Sequence, residues 1–277
     1  MSVMQSSNCF ILKLYCLGNS NSMTSNFLEI FFLSAVQGIT EFIPVSSSAH
    51  LILSATWFDF SISSLIIDAG LHLGSLLAIL FYFRKELSNI FNNKNLLQLI
   101  IFGSIPLIIF GFIIHLTGII YYLRDIKIIA WTTLIFGLLL YFSDTFKVKK
   151  KFNGDLNLKN IFIIGIFQIL ALMPGVSRSG IVITVGRFLN FNRYDSTQIS
   201  FFLSIPALTG AGFFSLKDAI NENVEFNFFL VLSILFSFIF SFITIKYFLI
   251  FIKKFSLKFF VIYRIVLSII LFFIIYN

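Results

Sequence analysis

Long apolar runs separated by short basic segments make up most of this sequence and leave it few ways to fold. Six runs reach the length of about 20 residues with which one helix crosses a bilayer: 65–83, 96–118, 126–142, 198–216, 226–250 and 258–276. Only 12% of the residues are charged, whereas soluble domains carry about 25%. Because so few charges cannot cover a water-facing surface, the sequence predicts an all-α polytopic membrane protein with six transmembrane helices.

Two further apolar regions, 27–57 and 160–187, are interrupted in the middle by a proline followed by small polar residues. The interruptions read IPVSSSA and MPGVSRSG. Proline removes a backbone donor and disrupts the preceding helical turn. Broken backbone at membrane depth persists only where it is buried in protein or lines a wet cavity. We therefore predict that both regions are re-entrant helix pairs, which enter the membrane and return on the same side.

The basic segments predict the orientation of these elements. Lysine and arginine cluster in the loops 84–95, 143–159 and 251–258, which the positive-inside rule places in the cytoplasm. Residues 46–64 and the loop 217–225 then lie outside, so the first re-entrant pair opens outward and the second inward. Because the net charge of +8 follows this loop pattern, it indicates topology and not a nucleic-acid partner.

An internal repeat supports the same arrangement. A shift of 131 residues superimposes four pairs of identical residues: Gln37 on Gln168, Val45 on Val176, Ser46 on Ser177 and Ser48 on Ser179. Repeated broken helices that open on opposite sides are typical of inverted-repeat membrane proteins, whose polar sites lie where the repeats meet. We predict a single domain over 23–277. Residues 1–22 are interpreted as an N-terminal extension, with Met23 as an alternative start.

The second interruption carries the groups of an anion site. A cation deep in a membrane segment indicates function, and Arg178 lies between Ser177 and Ser179, shortly after Gly175. A guanidinium binds two phosphate oxygens at once, and the first N–H groups of a following helix point at the break. The alternative is that Arg178 only pairs with a buried acid.

The first interruption carries candidate catalytic groups. Glu41 shares a helix face with Gln37, and four more polar residues follow: Ser46, Ser47, Ser48 and His50. A histidine beside a carboxylate can act as base, acid or nucleophile, and a serine within reach is another nucleophile. Glu41 can instead hold a divalent cation that a phosphate shares. The structural alternative is that the serines cap a helix.

Other polar residues on the spanning helices have simpler interpretations. We expect His72 and His115 to be packed and hydrogen-bonded. Asp68 shares a helix face with His72, so the alternative is that this pair supports the site. Arg264 is expected to pair with a carboxylate or a lipid headgroup. The two interruptions together place an acid, a histidine and serines opposite an arginine–serine cradle. This set predicts phosphoryl chemistry on a lipid-linked substrate.

The motifs QGITEFIPVSSSAH and ALMPGVSRSG resemble the undecaprenyl-diphosphate phosphatase family, the bacitracin-resistance proteins of bacteria. The segments LHLGSLLAIL, FFLSIP and IYR also resemble family segments in the same order, so the resemblance runs from about residue 27 to the end. It implies an enzyme of the bacterial inner membrane whose active site opens to the periplasm. That enzyme hydrolyses undecaprenyl diphosphate to the monophosphate and recycles the lipid carrier for peptidoglycan synthesis.

The same resemblance implies roles for individual residues. Glu41 is the motif acid, Ser47 a candidate nucleophile, His50 the motif histidine and Arg178 the phosphate clamp. The other residues expected to bind phosphate are Gln37, Ser46, Ser48, Gly175, Ser177 and Ser179. The family also implies an Mg²⁺ or Ca²⁺ ion held partly by Glu41. Gln37 stands where many members have glutamate, which puts a two-carboxylate metal site in doubt.

Three questions stay open at this point. The attacking group is Ser47 with His50 as base, or His50 itself, or water. A homodimer is compatible with the sequence but not required by it. The alternative function is a lipid-phosphate flippase or transporter, because inverted repeats around an interior polar site suit alternating access.

Overall fold

The structure is a computed structural model that describes residues 23–57, 65–90, 94–221 and 228–276. The predicted N-terminal extension, 1–22, lies outside these ranges. All secondary structure in the described residues is helical, apart from one isolated bridge between Lys150 and Phe191. The prediction of an all-α fold is therefore confirmed.

Thirteen α-helices form within the described ranges. They are α1 Met23–Thr40, α2 Ser47–Trp57, α3 Leu65–Tyr82, α4 Arg84–Ile90, α5 Lys94–Thr117, α6 Ile120–Leu123, α7 Ile126–Asp144, α8 Phe152–Asp155, α9 Leu158–Gln168, α10 Arg178–Phe188, α11 Arg193–Asn221, α12 Phe228–Lys254 and α13 Lys258–Tyr276. A short 3₁₀ helix, Ile169–Leu172, continues α9.

Five of the described helices are long and apolar enough to cross a membrane: α5, α7, α11, α12 and α13. The remaining predicted span, 65–83, forms α3, whose 18 residues rise about 27 Å. That length is slightly short of a hydrocarbon core of about 30 Å. Shorter apolar helices include α1 and α9 with its 3₁₀ extension. The protein is thus built as a multi-pass membrane protein.

Polar side chains lie inside the helix bundle, while the outer faces are apolar. At the crossing of α3 and α12, the hydroxyl of Ser75 lies 3.1 Å from that of Ser237 and 3.0 Å from that of Ser241. All three serines are fully buried. Gly74 lets the backbones approach, because a Cβ there would lie 2.4 Å from the Ile234 carbonyl oxygen. Small residues and buried hydroxyl pairs are how helices associate in lipid.

The sequence repeat reappears in the order and packing of the helices. A shift of 131 residues carries the bounds of α2 onto those of α10. It also places α1, α3, α5 and α7 over α9, α11, α12 and α13, respectively. Packing follows the same relation, since α1 contacts α12 as α9 contacts α5, and α3 contacts α12 as α11 contacts α5. Each half of the chain therefore completes its packing with helices of the other half.

Candidate active site where the two breaks meet

Both breaks end in a serine with an unusual backbone conformation. Ser46 has φ of 79° and Ser177 has φ of 68°, a region that costs residues with a side chain about 1 kcal/mol or more. Each hydroxyl accepts a hydrogen bond from the third amide beyond it, at 3.4 Å from Ala49 N and 3.1 Å from Gly180 N. The serines thus cap α2 and α10, and they place Ser47 and Arg178 as the first helical residues.

The two breaks contact each other directly. Gly175 N donates to Ser46 Oγ at 3.2 Å, and Ser179 Oγ donates to the Ile43 carbonyl at 2.8 Å. Ser179 is almost fully buried. Because these bonds join segments more than 120 residues apart in sequence, they bring the N-terminal ends of α2 and α10 to one place. The N-terminal end of a helix favours bound anions.

Two constraints favour glycine at position 175: there is no space for a Cβ, and the backbone φ is positive. Its φ is 89°, and a Cβ there would lie 2.1 Å from Thr132 Oγ1 and 2.8 Å from the Ile129 carbonyl. Thr132 Oγ1 donates to the Pro174 carbonyl at 2.7 Å. Gly175 therefore allows the second break to pack against α7 while its amide N–H bonds to Ser46 in the first break.

A cavity of about 150 Å³ lies beside this junction. Its lining residues are Glu41, Ser46, Ser47, Ser48, His72, Ala171, Ser177, Arg178, Ala207, Leu208 and Ala211. One wall is thus made of charged and hydroxyl groups, and the other is apolar. The volume is roughly ten times the minimum that one water molecule occupies. Six residues expected to act at the site line it, whereas Gln37, His50, Gly175 and Ser179 do not.

Glu41 is the centre of the polar wall. Its Oε1 accepts from Arg178 Nη2 at 3.0 Å, and its Oε2 accepts from Ser47 Oγ at 2.7 Å and from Gln37 Nε2 at 3.2 Å. The Glu41 side chain is only 8% exposed. An ionised carboxylate accepts without donating, so these three donors match its charged form, and the Ser47 proton points at it.

Arg178 is held by two groups that leave part of its guanidinium free for a ligand. Besides the bond to Glu41, its Nη1 donates to the Ser200 carbonyl on α11 at 3.1 Å. A guanidinium carries five N–H donors in a planar fork, and these bonds use two of them. The remaining donors can bind phosphate oxygens in the cavity.

His50 lies outside the cavity. Its Nδ1 is 2.6 Å from the Ser46 carbonyl and its Nε2 is 2.5 Å from the Tyr263 hydroxyl. A carbonyl only accepts, so Nδ1 carries the hydrogen, and in a neutral ring Nε2 must accept from Tyr263. Both nitrogens are therefore engaged away from Ser47, whose proton faces Glu41.

The sequence offered His72 only as a supporting residue paired with Asp68, and not as a group that lines the site. His72 lines the cavity, and its Nδ1 lies 3.4 Å from Nε2 of the fully buried Gln37. Since an amide nitrogen donates, Nδ1 accepts and Nε2 carries the ring hydrogen. Helix periodicity predicts that Gln37 lies beside Glu41, but it cannot predict a contact with His72, which lies on α3.

Arg264 differs from the sequence expectation of an acidic or lipid partner. Among the described residues, its hydrogen bonds all run to backbone carbonyls: those of Pro44, Thr133, Gly175 and Val176. It is fully buried on α13. The carbonyls lie in the two breaks and on α7, and no sequence pattern identifies them as partners.

The donor set fits a divalent cation only with help from a ligand. Within the described ranges no three His, Cys, Asp or Glu residues cluster as metal ligands. Glu41 supplies one carboxylate, and Oε1 of the neighbouring Gln37 is buried without a hydrogen-bond partner. Mg²⁺ is commonly bound by one or two carboxylates together with substrate phosphates and water. The residues present therefore suit a cation whose shell a phosphorylated ligand completes.

These features define an all-helical, multi-pass membrane protein with an acid–serine–arginine cavity between two broken helices. The sequence profile of the family described as "Bacitracin resistance protein BacA" matches residues 30–270. The chain belongs to this family.

Curated relatives agree with that assignment. A protein of Pelagibacter ubique (strain HTCC1062) named undecaprenyl-diphosphatase is 57% identical over 213 residues, which cover 76% of this chain and 83% of the relative. Proteins of the same name from Jannaschia sp. (strain CCS1) and Saccharophagus degradans (strain 2-40 / ATCC 43961 / DSM 17024) are each 39% identical. Those alignments cover 69% and 72% of this chain, and 76% and 79% of the respective relative.

Proposed function

We propose that the protein is an undecaprenyl-diphosphate phosphatase. It releases inorganic phosphate from the membrane-bound diphosphate and returns undecaprenyl phosphate, the lipid carrier for cell-wall synthesis. The observation that carries this proposal is the Glu41 carboxylate, which contacts both the Ser47 hydroxyl and the Arg178 guanidinium inside one cavity of a membrane bundle. The names of the relatives supply the substrate.

Arg178 binds the diphosphate in this proposal. Arg178 lines the cavity, where its unused N–H groups neutralise charge on the terminal phosphate, and the N-terminal end of α10 adds to this effect. The hydroxyls of Ser46, Ser48 and Ser177 line the same space and donate to the remaining oxygens. Gly175 and Ser179 join the two breaks behind the cavity, and Gln37 donates to Glu41.

Ser47 attacks the terminal phosphorus while Glu41 accepts its proton. A bond forms between Ser47 Oγ and phosphorus, and the bond from phosphorus to the bridging oxygen breaks. Undecaprenyl phosphate then leaves with that oxygen. The proton on Glu41 leaves with this product, so Glu41 is again a carboxylate. Water next attacks the phosphoserine, and the bond from phosphorus to Ser47 Oγ breaks. One water proton passes through Glu41 to Ser47 Oγ, and the other leaves on inorganic phosphate. This assignment replaces His50 as the base, because both nitrogens of His50 are engaged elsewhere; direct attack by water is the competing route.

Glu41 and Gln37 Oε1 would hold an Mg²⁺ or Ca²⁺ ion together with phosphate oxygens. Such an ion would neutralise phosphate charge when bound.

The apolar wall formed by Ala171, Ala207, Leu208 and Ala211 suits the first isoprene units of the substrate. The remainder of the isoprenoid chain lies among membrane lipids.

All residues that the mechanism uses come from one polypeptide, so catalysis does not require a homodimer.

The site is proposed to face the periplasm, with six transmembrane helices and two re-entrant pairs in an inverted repeat. His72 lies seven residues from the start of α3, or about 10 Å along its axis. The basic residues Arg84 and Lys85 follow the other end of α3. Ala211 likewise lies nearer to the end of α11 than to Arg193 at its start. The cavity is thus displaced away from the basic loops, which the positive-inside rule assigns to the cytoplasm of the inner membrane.

Phosphate release by the pure protein tests this function. In detergent, wild type should release inorganic phosphate from undecaprenyl diphosphate, and Arg178→Ala should lose at least a hundredfold in kcat. Arg84→Ala, which removes an exposed arginine, is the matched control and should keep wild-type activity. A flippase without hydrolytic activity would release no phosphate, and an active Arg178→Ala would exclude the proposed clamp.

A further inference from the structure

Arg264 is the largest fully buried side chain in the described part of the protein. A buried cation is costly unless it is paired or fully hydrogen-bonded. Nη2 of Arg264 donates to the Gly175 carbonyl at 2.7 Å, and Nη1 donates to the Val176 carbonyl at 3.1 Å and to the Pro44 carbonyl at 3.4 Å. Its Nε donates to the Thr133 carbonyl at 3.2 Å. The side chain is therefore satisfied by backbone dipoles and not by a carboxylate.

The carbonyls that Arg264 binds belong to the elements that build the active site. Pro44 lies in the first break, and Gly175 and Val176 lie in the second. Ser46 and Ser177, which cap α2 and α10, follow them by one or two residues. One planar guanidinium thus connects both breaks, and its geometry fixes the distance between them.

The neighbouring helices leave space for this side chain. A Cβ at Gly137 on α7 would lie 3.1 Å from Arg264 Cβ. A Cβ at Gly180 on α10 would lie 3.1 Å from both Arg264 Nη1 and Ser177 Oγ. Ser177 lines the cavity, so the guanidinium lies directly behind the cavity wall. Its charge acts in a region of low dielectric, where it attracts an anion more strongly than it would in water.

We propose that Arg264 is a positioning residue for diphosphate hydrolysis, an inference that rests on the proposed function. It holds the two breaks together so that Ser47 and Arg178 face the same phosphate. It also adds positive potential behind Ser177 without touching the substrate. The first role depends on its fork of donors and the second on its charge, so two substitutions separate them.

Arg264→Lys keeps the charge but loses the fork, and Arg264→Gln keeps a planar amide but loses the charge. We expect kcat to fall at least tenfold in both variants. KM for undecaprenyl diphosphate should stay within threefold of wild type in Arg264→Lys and rise at least fivefold in Arg264→Gln. Assays are made in detergent below the Tm of each variant, on protein that gel filtration shows to be folded.

Arg187 provides the matched control. It is 3% exposed, and its guanidinium donates to the carbonyls of Phe191, Asp144 and Phe146 at the opposite end of α10. Arg187→Lys should lower Tm as Arg264→Lys does, but kcat and KM of its folded fraction should stay within twofold of wild type. If the Arg264 variants also keep kcat and KM within twofold, the proposal is overturned.

Two further measurements keep the inference testable. If neither Arg264 variant folds, Gly137→Ala displaces the arginine without removing it. A threefold or larger loss of kcat supports the proposal, and an unchanged kcat overturns it. If wild type binds undecaprenyl diphosphate without hydrolysing it, the proposed function fails. Fivefold weaker binding by Arg264→Gln would then still support the electrostatic role, and equal binding would overturn it.

Discussion

The hydroxyl of Ser47 lies 2.7 Å from Oε2 of Glu41, and the other oxygen of that carboxylate accepts from Arg178. One carboxylate therefore connects the candidate nucleophile with the candidate phosphate clamp. A phosphate in the cavity binds the guanidinium donors that Glu41 leaves free. The same carboxylate that orients the clamp is thus placed to accept the Ser47 proton.

Glu41→Gln removes the charge while it keeps the size of the side chain. We expect kcat for phosphate release to fall by about 10²- to 10⁴-fold, the range that general base catalysis contributes. Glu86→Gln removes an exposed carboxylate from α4 and should leave kcat unchanged. A Glu41→Gln variant with more than a tenth of wild-type turnover would mean that another group accepts the proton.

Neighbouring serines allow a sharp test of the nucleophile. Ser47→Ala should remove turnover to background, whereas Ser48→Ala, which loses one hydroxyl contact to Ser46 Oγ, should lose less than tenfold. Rapid acid quenching with substrate labelled in the terminal phosphate should trap label on Ser47, and peptide mapping would locate it. Label on His50 would contradict this mechanism, and absence of any covalent label would favour direct attack by water.

The sequence predicted the helical membrane fold and the positions of both breaks because these depend on local properties. The length of each apolar run determines whether a helix can cross the membrane. Pro44 and Pro174 lie in the two breaks, where the helices before them have ended. Glu41 and Arg178 were chosen as candidate site residues because burying a charge in a membrane is costly.

The rest depended on tertiary contacts that no spacing in the sequence encodes. The side of α2 on which His50 lies, and its contact with Tyr263 on α13, required the packed structure. The backbone partners of Arg264 were missed for the same reason: carbonyl groups occur at every residue and leave no mark in the sequence.

His50 and Tyr263 should act as a unit. If the ring supports the break through its bonds to Ser46 and Tyr263, the double variant His50→Ala/Tyr263→Phe should be no slower than His50→Ala alone. The corresponding coupling is about 1 kcal/mol, that of a typical hydrogen bond. A double-mutant cycle measures this coupling from the kcat/KM values of wild type, the two single variants and the double variant. Fully additive losses, or a loss above 10³-fold for His50→Ala beside a neutral Tyr263→Phe, would instead assign His50 directly to the chemistry.

Gly175→Ala should destabilise the protein and lower its activity together. The new methyl group would lie 2.1 Å from Thr132 Oγ1, and φ of 89° is unfavourable for alanine. Gly210 on α11 offers a control, because a Cβ there meets no atom within 4 Å. Gly210→Ala should leave Tm unchanged or raise it slightly. Equal Tm values for both variants, measured by unfolding in detergent, would contradict the close approach of the second break to α7.

Gln37→Glu tests how the site binds a divalent cation. A second carboxylate beside Glu41 strengthens oxygen ligation, so half-maximal activity should need at least fivefold less Mg²⁺ or Ca²⁺ than in wild type. Titration of EDTA-treated protein with each cation gives that concentration. Gln198→Glu, a change on α11 among residues that do not line the cavity, should not shift it. Full activity of EDTA-treated wild type would exclude a metal requirement.

The contacts of α1 with α12 and of α9 with α5 bear on how such a chain folds. Each of these contacts joins a helix beside one break to a long helix of the other half of the chain. A fragment that ended midway would leave both surfaces without their partner, so the two halves are expected to reach their final packing together during biosynthesis.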